Sequence, residues 1–362
     1  MTCPDGSRGT FSSRLAEVLG IHFDPEHGSP YWIEIARRLG FDPRTRVQTI
    51  EELDCFGFMD QHALRSRPLL DFVPRRVASR PEELMIVQTG GSLGDPIWTA
   101  YTREDYDAAF VRPFVDAATH VGFPTGGTWL YVGPSGPHVM GRAARSIARA
   151  NGAIEPFTVD FDSRWAKKLP PESFAAQRYL RHVLDQTLGV IRVQSITHLF
   201  STPPVLAAIG AEMTADERSK IRGVHYGGLA LTPEELRRFQ QEVFPNAVHL
   251  SGYGNTLFGC CLELDASPNR TLRYYPWGSR IHFGVLPNGE TKCTDICHRP
   301  GARGRCIFTR LDSAMLLINF LERDEIALAN PPSDAPAQFK SSGVIEPTPI
   351  RNETRMPNLG LY

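Results

Sequence analysis

Gly223-Val224-His225-Tyr226-Gly227-Gly228-Leu229-Ala230-Leu231-Thr232-Pro233-Glu234-Glu235 is the stretch from which the fold is read. It opens with a short apolar run, breaks at paired glycines and closes on a helix start. Thr232 suits a cap, Pro233 suits the first helical position, and Glu235 is placed to bond back to the cap residue. The same order recurs from Leu84 onward. Short apolar runs at 84–88, 128–132, 197–201 and 247–251 read as further strands covered on both faces. Between them Val139, Ala143 and Ile147 repeat at four-residue spacing before Gly152. Leu180, Val183, Leu184, Thr187 and Leu188 trace a second helical face, which Gly189 is expected to end. Strands alternating with helices predict an α/β fold around a largely parallel sheet.

After Ser251 the pattern changes. Runs at 260–264, 273–275, 280–284, 306–311 and 316–321 read as strands joined by turns such as Pro287-Asn288-Gly289. They predict a smaller antiparallel sheet or partial barrel. The expected organisation is one unit over 1–330, with its α/β part at about 80–250 and its antiparallel part at about 251–330, then an extended tail over 331–362. The region before Arg80 reads as mixed and helical, without a motif.

Composition narrows the function classes. Of 362 residues, 41% are hydrophobic and 22% charged, as in ordinary globular chains. The 39 basic and 40 acidic residues leave a formal net charge of -1 with no basic block, so nucleic acid is not an expected partner. The apolar run 314–321 is too short to span a bilayer and the N-terminus has no secretory pattern, so no membrane association is expected. Seven scattered cysteines, two of them adjacent, do not form a disulfide framework, and a reducing cytoplasm is expected. Cys293, Cys297, His298 and Cys306 fit no standard zinc spacing and read as ordinary thiols beside a histidine.

Four stretches carry chemistry. Gln88-Thr89-Gly90-Gly91-Ser92-Leu93-Gly94-Asp95-Pro96 follows a strand, and its glycines let backbone amides turn toward an anion while Thr89 and Ser92 add hydroxyls. It lacks the Gly-Lys-Ser/Thr ending of a P-loop. Gly227-Gly228 lets a flat group approach the backbone. Gly252-Tyr253-Gly254-Asn255-Thr256 offers an aromatic face beside small polar groups, and Asn319-Phe320-Leu321-Glu322-Arg323-Asp324 ends a strand in charges. Taken singly, each reads equally as a turn.

In this order the four resemble the adenylate-forming superfamily of acyl-CoA synthetases and ligases, above all its phenylacetate-CoA ligase branch, over about residues 84–328. Thr89 to Pro96 looks like a variant of the family's phosphate loop, and Tyr253 to Thr256 matches its Tyr-Gly-x-Thr motif. Gly304 to Asp324, including Phe308-Thr309, is similar to its late Phe-Thr…Arg-Thr-x-Asp stretch. The resemblance implies a large adenylate-forming N-terminal domain, with ATP and Mg2+ as cofactors. It implies that Thr89, Gly90, Gly91, Ser92 and Gly94 hold the ATP phosphates, and that Tyr253, Gly254 and Asn255 lie along adenine. By the same token Thr256 contacts the α-phosphate, Asp324 the ribose hydroxyls, and Gly227 and Gly228 line the junction of adenine and acyl pockets. His138 sits at a strand-to-helix turn where the family places an acyl-site residue, so Thr256 and His138 are the implied catalytic positions. Trp98, Tyr101, Trp129 and Phe258 are aromatic candidates for facing an acyl ring.

The sequence also departs from that pattern. Ile97 stands where the phosphate loop is followed by Lys, and Leu257 stands where a Glu helps hold magnesium. The chain ends soon after the point where the family's small C-terminal domain begins, so the large domain is expected without it and coenzyme A transfer is not expected. Within the superfamily the chain is similar to the phenazine-biosynthesis adenylating proteins of the griseoluteic acid pathway. That resemblance implies an aromatic, phenazine-like carboxylic acid as substrate and a reductase as partner. Two alternatives stay open: a catalytically impaired protein that binds ATP or an aromatic acid and partners a redox enzyme, and an acyl-CoA or carrier-protein ligase.

Overall fold

The computed structural model describes residues 11–90, 95–170 and 172–350. The capping box at Thr232 forms: its Oγ1 accepts from the Glu235 N–H at 3.1 Å, and Glu235 Oε2 accepts from the Thr232 N–H at 2.9 Å. Thirteen strands are described. They are β1 (Leu84–Gln88), β2 (Trp98–Thr102), β3 (Trp129–Val132), β4 (Phe157–Val159), β5 (His198–Ser201), β6 (Gly223–Tyr226), β7 (Val248–Asn255), β8 (Gly259–Leu262), β9 (Arg273–Tyr274), β10 (Ile281–Leu286), β11 (Arg303–Leu311), β12 (Leu316–Ala329) and β13 (Gly343–Pro349).

The largest sheet has the order β4-β3-β5-β6-β7-β8. Strands β3 to β7 run parallel and β8 returns antiparallel to β7. Every residue of β3, β5 and β6 is buried, as in strands covered on both faces, and the polar His198, Ser201 and His225 are buried with hydrogen bonds to neighbouring backbone carbonyls. The helices Val139–Ala150, Phe174–Val193, Pro203–Glu212 and Pro233–Arg238 lie on the connections between the parallel strands. A five-stranded antiparallel sheet, β10-β11-β12-β13-β9, forms the smaller layer; its strand β13 lies in the segment read from sequence as an extended tail. No helix of the described residues is long and apolar enough to cross a membrane.

Two expectations need correction. The run 84–88 is a strand but stays out of the parallel sheet. It pairs with β2 in a separate antiparallel ribbon, with Leu84 opposite Thr102 and Gln88 opposite Trp98. Two of its side chains are exposed, Ile86 at 50% and Trp98 at 44%, while Ala100 opposite Ile86 is fully buried. Gly189 does not stop its helix, which continues to Val193. A helical glycine costs about 1 kcal/mol, whereas burying Leu188 and Ile191 on one face contributes about 1.5–3 kcal/mol each. The buried face wins.

The three sheets meet at Arg310, which is fully buried. Its Nη1 donates to Thr99 Oγ1 of β2 and to the Leu257 carbonyl beyond β7, both at 2.8 Å. Its Nη2 donates to the Ala100 carbonyl at 2.7 Å, and the guanidinium lies 3.9 Å from the Tyr101 ring centroid. Nε donates to Asp312 at 2.6 Å, and Arg280 reaches the same carboxylate at 2.9 and 2.5 Å. The N-terminal helices seal this junction. His22 contacts the Asp312 carbonyl at 2.8 Å, and Trp32 Nε1 donates to the Leu316 carbonyl.

Burial pushes the Asp312 carboxyl up, but the Arg280 and Arg310 guanidiniums overcome it and hold the group below its ordinary value. A carboxylate with a lowered folded-state pKa stabilises the fold above its unfolded value, and that contribution fades as pH falls through the folded one. Asp312→Ala would leave two buried guanidiniums without their counter-ion. We expect a loss of about 3–5 kcal/mol at neutral pH, read as a lower urea midpoint. An unchanged midpoint would show that the junction does not depend on the carboxylate.

Candidate active site

Parallel strands of an open α/β sheet present their carboxyl ends on one edge, and ligands bind where the order of connection reverses. Here β3 leads to β4 on one side and β5 lies on the other, so the reversal falls between β3 and β5. A small, half-open cleft, with enclosed space for little more than a water molecule, lies at that point. Its walls come from the strand ends: Tyr131 and Gly133 from β3, Phe200 and Thr202 from β5, Gly227 and Gly228 after β6, with Met140 from the helix behind.

The glycines are needed where they stand. A Cβ on Gly227 would sit 3.1 Å from Phe200 and 3.4 Å from Met140, and Gly228 has φ of +85°, where side chains are strained. Most polar atoms in the cleft are occupied. Tyr131 OH donates to the Pro134 carbonyl at 3.0 Å, and Ser201 Oγ donates to the Val132 carbonyl at 2.5 Å. Thr202 Oγ1 is the exception: buried and without a hydrogen-bond partner. Thr202 precedes two prolines at the start of the helix Pro203–Glu212, and its side chain makes no capping bond there.

At the next strand end, β7 continues past the sheet edge into a hairpin with β8. Ser251 is anchored through its N–H to Glu263 at 3.0 Å and through Oγ to Tyr274 at 2.8 Å. Gly254 lies so close to β8 that a Cβ would meet the Gly259 carbonyl oxygen at 2.1 Å. That close approach sends Tyr253 and Asn255 toward β12. Tyr253 OH donates to Asp324 Oδ2 at 2.8 Å, and Asn255 Nδ2 donates to Glu322 Oε1 at 2.5 Å. Asn255 Oδ1 accepts from the N–H groups of Leu257 and Phe258, which folds the turn around Thr256. Tyr101 OH holds that turn by donating to the Thr256 carbonyl at 2.8 Å.

The Gly-rich loop is tied at both ends. Gln88 N–H donates to the Pro137 carbonyl at 2.8 Å, and Thr89 exchanges two bonds of 2.9 Å with Ile97. At the far end Arg65 donates to the carbonyls of Asp95 and Gln61, and the Gln61 amide donates to the Leu321 carbonyl at 2.7 Å. This relay joins the loop to the strand that carries Glu322 and Asp324. Gly90 is described; Gly91, Ser92 and Gly94 lie outside the described residues.

The structure thus brings Tyr253, Asn255 and Thr256 together with Asp324, and Gly227 and Gly228 together with the start of the His138 helix. His138 is half-buried at the head of the helix Val139–Ala150, and burial, followed by nearby Arg164, lowers its pKa. The aromatic candidates are placed otherwise. Trp129 begins β3 and bonds the Gly126 carbonyl at the opposite end of the strand, Phe258 is core against Phe283 and Phe308, and Trp98 is exposed at the start of β2. Tyr131 and Phe200 line the cleft instead. Reading the sequence also passed over Glu322 and Thr202. Glu322 lies two residues before Asp324 and so on the same strand face, and Thr202 directly follows a strand, but only their burial in the fold sets them apart from solvated residues at such positions.

Leu257, at the departure from the family pattern, is 3% exposed and packs into the core. Among the described residues no three His, Cys, Asp or Glu side chains cluster as metal ligands. Glu322 is the nearest carboxylate to the Thr256 turn by hydrogen bonding, through Asn255.

No protein-family model matches the chain, and no curated protein matches it. Solved structures do match. A 2-hydroxyisobutyryl-CoA ligase in complex with 2-HIB-AMP and CoA, in its thioesterification state, superposes with a TM-score of 0.62 at 16% identity, covering 93% of this chain and 66% of the ligase. The same ligase in its postadenylation state with R3-HIB-AMP gives 0.64 at 16% identity, covering 96% and 71%. An open conformation with 2-HIB-AMP and CoA gives 0.63 at 16% identity, covering 96% and 73%. The chain therefore spans about two thirds to three quarters of that ligase's length. What they share is the fold: helices around a largely parallel sheet, with a smaller antiparallel sheet beside it.

Burial, and then repulsion from Asp324, raise the Glu322 carboxyl from 4.5 to about 7. A carboxylate raised on folding costs stability once ionised, so its contribution worsens as pH climbs between those values. Relative to Glu322→Gln, the wild type should lose urea midpoint on going from about pH 5 to about pH 8. A difference between the two proteins that stays constant with pH would contradict the assignment.

Proposed function

We propose that this chain binds ATP beside a carboxylic acid at the carboxyl edge of the parallel sheet and joins them as an acyl-adenylate. The observation that carries the reading is the Tyr253–Asp324 hydrogen bond. It couples motifs 71 residues apart beside the strand ends that form the cleft. Tyr253 would lie along adenine with Gly254 and Asn255. Asp324, oriented by the phenol on Oδ2, keeps Oδ1 to accept from the ribose hydroxyls. Thr89 and Gly90 would face the phosphates, and Thr256 the α-phosphate. Gly227 and Gly228 would separate the adenine side from the acyl cleft, whose mouth is near His138.

In the reaction a carboxylate oxygen forms a bond to the α-phosphorus. The bond from that phosphorus to the bridging oxygen of the β-phosphate breaks, and pyrophosphate leaves with the electron pair. No proton needs to move. The work left to the protein is alignment and neutralisation of charge. Magnesium, which normally travels with ATP and needs only one or two protein carboxylates, would be met by Glu322.

For the acid we propose an aromatic, phenazine-like carboxylate. Tyr131, Phe200 and Met140 supply the apolar walls a flat ring needs, and the unpartnered Thr202 hydroxyl supplies a single polar contact. The resemblance of the motifs to phenazine-pathway proteins supports passing the acyl group to a reductase. A cytoplasmic setting goes with it, supported by six described cysteines that are all free thiols. A second reading, a protein that binds ATP or the acid without turnover, is favoured by one observation: an apolar, core-packed Leu257 where the resembling enzymes carry a magnesium-binding Glu.

ATP–pyrophosphate exchange separates the two. Exchange that depends on one aromatic acid from a panel including phenazine carboxylates supports adenylation; tight ATP binding with no exchange leaves the second reading, and no binding at all contradicts both. Asp324→Ala should weaken ATP binding about 10–100-fold, the loss expected of hydrogen bonds to a charged acceptor. Thr202→Val should lower affinity for the favoured acid by up to about tenfold while leaving ATP affinity unchanged. Equal affinity for the acid in both proteins would remove Thr202 from the acyl site.

A further inference from the structure

A cationic group stands at the first residues of the Gly-rich loop, apart from the contacts of the cleft and of the Tyr253–Asp324 pair. Arg164 belongs to the short helix Ser163–Lys168 that follows β4. Its Nη2 donates to Gln88 Oε1 at 2.5 Å and to the Thr89 carbonyl at 3.3 Å. Its Nε is buried and has no hydrogen-bond partner. A guanidinium keeps its charge in proteins and has only donors, so a buried Nε–H without an acceptor is a standing penalty unless a ligand supplies one.

The protein does not neutralise this charge itself. Arg164 makes no ion pair among the described residues. The two nearby carboxylates are engaged elsewhere. Asp162 Oδ1 accepts from the backbone N–H groups of Arg164 and Trp165, and Asp160 accepts from the N–H and hydroxyl of Ser135. Positive charge accumulates instead. Lys167 is held down to about 8, by burial first and by Arg164 second, and His138 is lowered by burial and then by the same guanidinium. Two fixed cations and a histidine are therefore within electrostatic reach of one another at the start of the loop. An anion with several acceptor oxygens relieves both deficits at once, because it accepts from Nε–H and offsets the repulsion between the cations.

Resting on the adenylation reading above, we propose that Arg164, with Lys167 beside it, binds the β- and γ-phosphates of ATP and the pyrophosphate they become. Arg164 thereby supplies cationic charge on a loop whose following residue is Ile97 in place of a lysine. When the bond to the α-phosphorus breaks, the bridging oxygen leaves with the electron pair, and the guanidinium is positioned to stabilise that negative charge. Its hydrogen bonds to Gln88 and Thr89 orient it, so the same side chain that meets the anion also sets the root of the loop.

The test is calorimetric titration of the full chain with inorganic pyrophosphate, ATP and AMP, comparing wild type with Arg164→Gln and Arg164→Lys. The expected result is about tenfold or greater weakening of pyrophosphate and ATP in R164Q, with AMP within about twofold of wild type. R164K should fall between, since it restores charge but not the Nε–H. Unchanged AMP affinity also shows that R164Q is folded. Pyrophosphate binding to R164Q as tight as to wild type overturns the inference and leaves the adenylation reading standing. Wild type that binds pyrophosphate but neither ATP nor AMP overturns the assignment to a nucleotide. Equal weakening of AMP and pyrophosphate also overturns it, because a merely structural role moves both alike.

Discussion

The buried carboxylate of Asp312 between Arg280 and Arg310 is the constraint on which the rest of the structure depends. Arg310 has no solvent contact, and its three nitrogens together bond three parts of the molecule: the ribbon strand β2, the turn beyond β7, and Asp312. Buried ion pairs seldom stabilise a fold more than apolar groups of the same volume would, since desolvation offsets the attraction. What this one supplies is position. It fixes where the antiparallel layer meets the parallel sheet, and it does so by holding the backbone of Leu257, one residue after Thr256.

The geometry of the site follows from that junction and from the direction of the parallel strands. Short, fully buried strands deliver glycines, Thr202 and Tyr253 to one edge because their carboxyl ends all point there. The antiparallel layer then brings Glu322 and Asp324 alongside through β12. Besides the Arg310 anchor on the Leu257 carbonyl, the Thr256 turn is held by Asn255, by the Tyr101 hydroxyl and by Arg280, which donates to the Phe258 carbonyl. The core-packed Leu257 side chain belongs to this arrangement. It packs into the core, and Glu322 is the carboxylate that reaches the turn from the other side.

Much of this was legible in the sequence because it is local. The Thr232 capping box, the parallel strands and the strand-to-helix turns are each encoded within a dozen residues, and the parallel-sheet layout follows from their alternation. Leu84–Gln88 was legible as a strand but not as a ribbon, since its partner Trp98–Thr102 is recognised only once the loop between them closes through Thr89 and Ile97. Gly189 misled because propensity is a weak term beside the burial of Leu188 and Ile191. In the site, glycines and the Tyr253 and Asp324 motifs could be read from residue type and order. Glu322, Arg164 and Thr202 could not be singled out in the same way, because charged and hydroxyl residues at strand and helix ends are usually solvated. Their distinction lies in tertiary burial. Trp129 shows the same limit: closeness in sequence to a motif does not say which end of a strand a ring occupies, and Trp129 sits at the amino end of β3, away from the cleft.

The central claim is that one edge of the parallel sheet holds a nucleotide and an acid side by side. A crystal structure of the chain with a non-hydrolysable acyl-sulfamoyl-adenosine tests it most directly. The account predicts adenine along Tyr253, ribose hydroxyls on Asp324, and the acyl group between Tyr131, Phe200 and Met140. An analogue found away from these strand ends, or a cleft that stays empty at saturating analogue, would contradict it.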